Sequence, residues 1–414
     1  MIHAGMICFL LVAVPPVRDS TSAAPPPPPA RFSTVFPNPS GQNGLEEIVA
    51  AADLVRDNAA LDAAIAPDAT LTLKRAALRD PNCRQALTLL RAGLAKPMAP
   101  PLPENDALAP GKIYRDLPLL RRLGSLLAVE EYVLAADGRI SAAINTLEDA
   151  LRLTDAVRGE NVSAALYAHL IDEEATVSLA RHMGQWALPD CDRILGLVQT
   201  RLTATPELDK RLLERWRRSR LAGVDALEAM PVGAQSAAAL NPNHEASLQA
   251  VAESWLALGP DPALRHAAFD SLRQRINASF DRAEAIDPYA PAEPDDNKAP
   301  SAGPASAFVE AYTRATLNDP TRLPRSLARM QVALRLLAVQ AAIRRYRWEF
   351  GRLPLHLEDL RLGDLSTDPY SGSPYRYTVA ADGASYTLAS IGPQGNAREA
   401  QGEIVVLPEK DIWR

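Results

Sequence analysis

The chain reads as mainly α: a helical array, solenoid-like or an irregular bundle, followed by a small α+β module with an antiparallel sheet. Three observations predict this. Between Leu45 and about Met230, apolar residues recur at three- and four-residue intervals, alanine is abundant and β-branched runs are scarce, which is the pattern of amphipathic helices. Near the C-terminus, the aromatic and β-branched segments Tyr375–Val379 and Tyr386–Ser390 flank Asp382-Gly383, a pair that tolerates the positive φ of a tight hairpin turn. The 414 residues also give length for two or three domains of roughly 100–200 residues each.

Composition narrows the functional classes. With 47% hydrophobic and 23% charged residues the chain has ordinary globular usage. A formal net charge of −6 supplies no general attraction for a phosphate backbone, so nucleic acid is not an expected partner. The cysteines, Cys8, Cys83 and Cys191, include no closely spaced pair of the kind zinc sites use. Cys83 and Cys191 are expected as two buried thiols, a disulfide between them being the alternative.

The elements follow in order. Residues 1–23 contain the apolar run Gly5–Val14, about the length of a signal-peptide core and short of the roughly twenty residues a spanning helix needs. We read this segment as a signal peptide or an anchor, with Thr21-Ser22-Ala23 as a small-residue cleavage site, although no Lys or Arg precedes the run. Cys8 lies inside the run rather than after it, which disfavours a lipoprotein. Residues 24–44 form a Pro-rich linker, with five consecutive prolines from Pro25 to Pro29 favouring an extended spacer.

Residues 45–285 make the helical domain. Helices are expected over about Leu45–Ala64, Asp68–Arg79, Cys83–Ala92, Leu117–Ala136, Ile140–Arg158, Val162–Trp186, Pro189–Leu202, Pro206–Met230, Glu245–Ala257 and Pro262–Ala285. Lys96–Gly111, with five prolines, reads as a loop. The Pro/Ala/Asp-rich stretch 286–306 reads as a second linker.

Residues 307–414 make the C-terminal module. Helical pattern resumes near Ala307 and again near Pro324, after which Val332, Leu336, Val339, Ile343, Tyr346 and Phe350 form one stripe that must be buried. A loop or short helix at Leu355–Leu362, a tight turn at Asp368-Pro369, the hairpin and a last strand at Glu403–Leu407 complete it.

The order of three motifs in this module, Phe350-Gly351-Arg352-Leu353-Pro354 at the helix end, Asp368-Pro369-Tyr370-Ser371-Gly372-Ser373-Pro374-Tyr375-Arg376-Tyr377 in the loop, and Ser390-Ile391-Gly392-Pro393-Gln394-Gly395 at the end, resembles the C-terminal domain of type II secretion major pseudopilins. The resemblance covers about residues 325–406 and implies cell-envelope or surface structure. It departs from that family in its helix, which is internal and carries Arg329, Arg335, Arg344, Arg345 and Arg347, so pseudopilus assembly by insertion of that helix in a membrane is not expected. The family's C-terminal loop holds calcium; here Gln394 stands where the acid is expected and only Glu399 and Glu403 remain to substitute, so no cofactor is expected.

Leu119–Val157 resembles a single tetratricopeptide unit, with Ala143, Leu147, Ala150 and Leu151 on one face of its second helix. It departs where Glu130 and Glu131 occupy the middle of the first helix, and no second unit follows at the same period.

Other chemistry is sparse. His169 and Asp172, with Glu173, Glu174 and His182 nearby, make only one His-containing pair for a metal, and solvated helix charges account for it better. The basic run Lys210–Arg220 with Trp216 reads as a solvated amphipathic face. No phosphate-cradling glycine loop, GxSxG or HExxH occurs, and no catalytic residue is nominated. The sequence therefore points to a noncatalytic envelope-associated protein with a helical protein-binding region, a protein partner, and membrane association only through an unprocessed N-terminus. The alternatives are a cytosolic tetratricopeptide-like scaffold and an enzyme with its cleft among the helices.

Overall fold

The computed structural model describes residues 40–98, 117–158, 162–231, 233, 246–290, 303–316, 319–392 and 405–406. The apolar N-terminal run, most of the first linker and of the Lys96–Gly111 loop, residues 291–302, and Gln394, Glu399 and Glu403 lie outside the described residues. Within them the chain is mainly helical, with small antiparallel sheets near the C-terminus, as expected.

Helices α1 (Gly44–Leu54), α2 (Ala59–Ile65), α3 (Leu71–Arg79) and α4 (Pro81–Leu94) come first. The single helix expected over Leu45–Ala64 is broken, because Asn58 acts as an N-cap: its side chain accepts from the Leu61 N–H at 2.9 Å and donates to Asp80 at 2.8 Å. Asp80 in turn caps α4 by accepting from the N–H groups of Asn82 and Cys83. Ser40 and Gly41, at the end of the linker, donate to Glu46 and fix the start of α1.

Helices α5 (Leu117–Ala136), α6 (Ile140–Arg158) and α7 (Val162–Ala180) pack each against the other two. Gly138, at φ +74°, turns α5 into α6. The small residue that lets α5 approach α7 is Gly124, where a Cβ would lie 2.6 Å from Ile171. Helix α7 stops at Ala180, short of the expected Trp186, and a 3₁₀ turn follows at Met183–Gln185.

Helix α8 (Leu188–Glu228) corrects the expectation of two helices, since it runs through Pro206 without interruption. It is followed by α9 (Ala246–Leu258), α10 (Pro262–Ala285) and α11 (Pro304–Thr316).

Helix α12 (Arg322–Phe350) is the centre of the fold. The expected stripe is buried at Val332, Leu336, Val339 and Ile343, but Tyr346 is half-buried and Phe350 exposed. Burial instead extends around the whole circumference from Met330 to Arg344, except for the half-buried Arg335, because α7 packs on one side and α8 on another. By length and composition α12 is apolar enough to cross a membrane, yet 72% of its most apolar window is buried inside the protein.

The strands are β1 (Thr367–Asp368), β2 (Ser373–Pro374), β3 (Arg376–Val379), β4 (Tyr386–Ala389) and β5 (Val405–Val406). β1 and β2 form one hairpin; β3, β4 and β5 form a second antiparallel sheet with Val379 opposite Tyr386 and Leu388 opposite Val406. Gly383, at φ +64°, occupies the predicted hairpin turn.

Two apolar cores result. The first joins α1–α7, the N-terminal half of α8, α12 and the sheet residues Tyr375, Tyr386 and Leu388. The second joins the C-terminal half of α8 with α9, α10 and α11 around Trp216, Trp255, Phe269 and Phe280.

Candidate functional site

Two regions gather polar groups in ways that helix packing alone does not require: the seat on which the C-terminal module docks, and a half-buried strip between α3, α5 and α7.

The seat is the turn after α7. The buried guanidinium of Arg344 donates to the carbonyl of Gly184 at 2.6 Å and to that of Trp186 at 3.0 Å. The indole of Trp348 donates to the same Trp186 carbonyl at 2.9 Å, and the Arg344 guanidinium lies over its ring. From the sheet, the Tyr386 hydroxyl reaches Met183 Sδ at 3.0 Å. Helix α12 ends immediately afterwards at Gly351, whose φ of +70° lets its N–H return to the Arg347 carbonyl. The rest of the Trp348 ring is exposed, as are Phe350 and Leu355 just beyond the seat, with the Phe350 ring tilted against Tyr346 at 4.4 Å.

Within the module one carboxylate joins two of the sequence motifs. Asp368, 1% exposed, accepts from the N–H groups of Tyr370 at 3.0 Å and Ile391 at 2.8 Å and from the Ser390 hydroxyl. The first motif joins them through Tyr377, whose hydroxyl donates to the Pro354 carbonyl at 2.9 Å. Burial raises the phenols of Tyr375 and Tyr377 above their ordinary range and pushes Tyr370 up to about 12.

The strip holds Lys74, Ser125, Tyr132, Glu174, Arg181 and His182. Ser125 donates to Glu174 at 2.9 Å, Tyr132 meets His182 edge-on at 4.6 Å, and the Lys74 ammonium lies 5.2 Å from the Tyr132 ring while donating to the Ala64 carbonyl. Burial raises the Glu174 carboxyl above its ordinary value, against the Ser125 hydrogen bond and the charges of Arg121 and Lys74. Burial also lowers His182, and burial together with the charge of Arg181 lowers Lys74. Groups shifted in these directions are what acid–base sites use, and structural polar networks shift them in the same way.

The residues considered for a metal are dispersed. His169 faces Ser326 at 3.1 Å; Asp172 accepts from Thr154 and Arg201 inside the helix bundle; Glu173 pairs with Arg329; Glu174 and His182 belong to the strip. Among the described residues no three His, Cys, Asp or Glu side chains gather as a metal centre. The Lys210–Arg220 run is amphipathic: Leu212, Leu213 and Trp216 enter the second core, Arg217 pairs with Asp281, and Lys210, Arg211, Arg215 and Arg218 are exposed. Cys83 and Cys191 are buried free thiols, pushed by burial to about 11 and about 12.

Neither the seat nor the strip is legible in the sequence. Arg344 stood out there only as a charge unsuited to a membrane, although an arginine amid a continuous apolar run is the signal of a buried partner. Lys74, Ser125 and Tyr132 carry no local signal, because only the packing of α3, α5 and α7 assembles them. Glu131, fully buried with neither carboxylate oxygen hydrogen-bonded, stood out only as a departure from the tetratricopeptide pattern.

No family model, curated protein or solved structure matches this chain.

Proposed function

We propose that this chain is a noncatalytic, envelope-associated protein in which the helical region binds another protein and the pseudopilin-like module is a structural part. The observation that carries this reading is the packing of α5, α6 and α7. Each helix contacts the other two, the arrangement from which helical arrays build binding faces. On the outer side of α7, Leu170 and Val177 stand exposed, seven residues apart and so on one stripe, beside Glu173 and Arg181. The envelope assignment is supported by the N-terminal apolar run and by the three ordered motifs of the module.

The test has two arms. A photocrosslinking residue at Val177 in cells is expected to give one discrete protein adduct that is absent when the same residue replaces exposed Arg152. Adducts at both positions, or at neither, overturn the interaction reading. The mature N-terminus is expected near Ala24 in an extracytoplasmic fraction. An intact Met1 in the cytosol instead favours the cytosolic tetratricopeptide-like scaffold.

A second reading, an enzyme with its cleft among the helices, is favoured by the strip of Lys74, Glu174 and His182. It moves ahead if Lys74 reacts with an amine-directed acylating reagent at pH 8 faster than exposed Lys210 does.

A further inference from the structure

The two apolar cores meet along a polar band, which α8 and α12 cross and α7 borders. On α8, Val198 belongs to the first core and Leu212 to the second, with Arg201 and Thr205 between them. Helix α7 lies along the boundary, with Ala164 and Ile171 in the first core and Ala165 in the second, and it contributes His169 and Asp172 to the band. On α12, Leu323 belongs to the second core and Met330 to the first, with Ser326 between. The band is internally bonded: Arg201 and Thr154 to Asp172, and His169 to Ser326. A polar junction between separate apolar cores is how units that move relative to one another meet.

Helix α8 is weakened where it crosses. Pro206 has no N–H to give to the Leu202 carbonyl, so one bond of the helical ladder is missing there. Just before it, the hydroxyls of Thr200, Thr203 and Thr205 donate back to the carbonyls of Gly196, Gln199 and Arg201, contacts that bend helices.

One contact closes the two lobes from another side. After α10 the chain turns at Asp287, which accepts from the Tyr289 N–H, and the Tyr289 ring leaves the second lobe for the first. Its hydroxyl donates to Gln331 of α12 at 2.7 Å, and the ring meets Tyr370 of the module edge-on at 5.5 Å. This residue stands in a Pro/Ala/Asp-rich segment that reads as linker in the sequence.

We propose that α8 is a hinge at Pro206, about which the lobe of α9, α10 and α11 pivots, and that Tyr289 is the latch holding that lobe against α12 and the C-terminal module. The band gives the pivot its plane, because α7, α8 and α12 carry polar contacts there between the two cores. Release of one aromatic contact and one hydrogen bond then frees the lobe to turn, at the expense only of the edge contacts that Ala165 and Leu323 make with the second core.

Pulsed electron–electron resonance distances on the full chain test this. Spin labels at Gln85→Cys and Gln274→Cys, both exposed, report across the lobes, and labels at Gln85→Cys and Arg152→Cys report within the first lobe. Cys8 is replaced by Ser, while Cys83 and Cys191 are buried thiols and label slowly. Tyr289→Ala is expected to widen the cross-lobe distribution at least twofold, and adding Pro206→Ala to bring it back toward the native width, with the within-lobe pair unchanged throughout. Tyr289→Phe, which removes only the bond to Gln331, makes the same comparison by a milder change. An unwidened Tyr289→Ala distribution overturns the latch. Widening that survives Pro206→Ala overturns the hinge, and widening of the within-lobe pair as well overturns both.

Discussion

Arg344 on α12 donates a hydrogen bond from Nε to the carbonyl of Trp186, 158 residues earlier in the chain, and thereby fixes the C-terminal module to the turn that ends α7. A buried guanidinium is costly unless its donors are used, and here two of them meet backbone carbonyls that no helix satisfies. Arg344→Leu is expected to destabilise the fold by about 2–4 kcal/mol, the range for losing charge-assisted bonds and leaving a buried acceptor unpaired. Arg344→Lys should recover only part of this, because an ammonium cannot span both carbonyls as the planar fork does. Urea unfolding midpoints of the three proteins check the order.

Asp368 holds the loop of the second motif to the strand end of the third. Asp368→Ala leaves the N–H groups of Tyr370 and Ile391 and the Ser390 hydroxyl without this acceptor. The expected loss is about 2–3 kcal/mol, as for hydrogen bonds to a charged group. Amide exchange at Ile391 and Tyr370 should accelerate before any change appears in α5 or α6, and uniform acceleration would assign Asp368 a different role.

Gly93 places two effects in opposition. Alanine is the better helix former by about 1 kcal/mol. A Cβ at position 93, however, would lie 2.5 Å from the Gly44 carbonyl oxygen and 3.0 Å from Ile48, so α1 and α4 would have to separate. Overpacking against backbone costs about 1–3 kcal/mol, so Gly93→Ala is expected to lower the melting temperature despite its higher propensity.

Glu131 makes stability depend on pH. Burial raises its carboxyl well above the ordinary 4.5 in the folded state, so the native chain keeps a proton that the unfolded chain has released. The unfolded state then binds fewer protons, and stability falls as pH rises from about 4.5 toward the folded-state value. Glu131→Leu is expected to be more stable than the native protein at pH 8 by about 1–3 kcal/mol, the advantage shrinking toward pH 4.5. Unfolding curves of both proteins across that range test the sign.

Several elements were legible in the sequence to the residue. Leu117–Ala136, Ile140–Arg158 and Pro262–Ala285 have strong periodicity, and the first two are separated by a glycine turn. The break at Asn58 was hidden by alanine-rich pattern on both sides, since a cap is recognised only once its partner Asp80 is near. Pro206 signalled a helix end, but apolar burial of α8 on both sides of it carries the helix through. The module's hairpin and its Gly351 and Gly383 turns follow local chemistry and were readable. The position of α12 was not, because a stripe of six residues described only one of the faces it buries. The seat and the strip depend on contacts between residues more than forty positions apart, for which no local pattern exists.

Helix α12 and its sheet are part of the first core rather than an appended unit. Native-state hydrogen exchange across a urea series, read by mass spectrometry, tests it most directly. Peptides from α5–α7, α12 and the β3–β4 hairpin are expected to lose protection together in one cooperative step. Loss of protection in α12 and the hairpin at lower urea, with α5–α7 still fully protected, would contradict it.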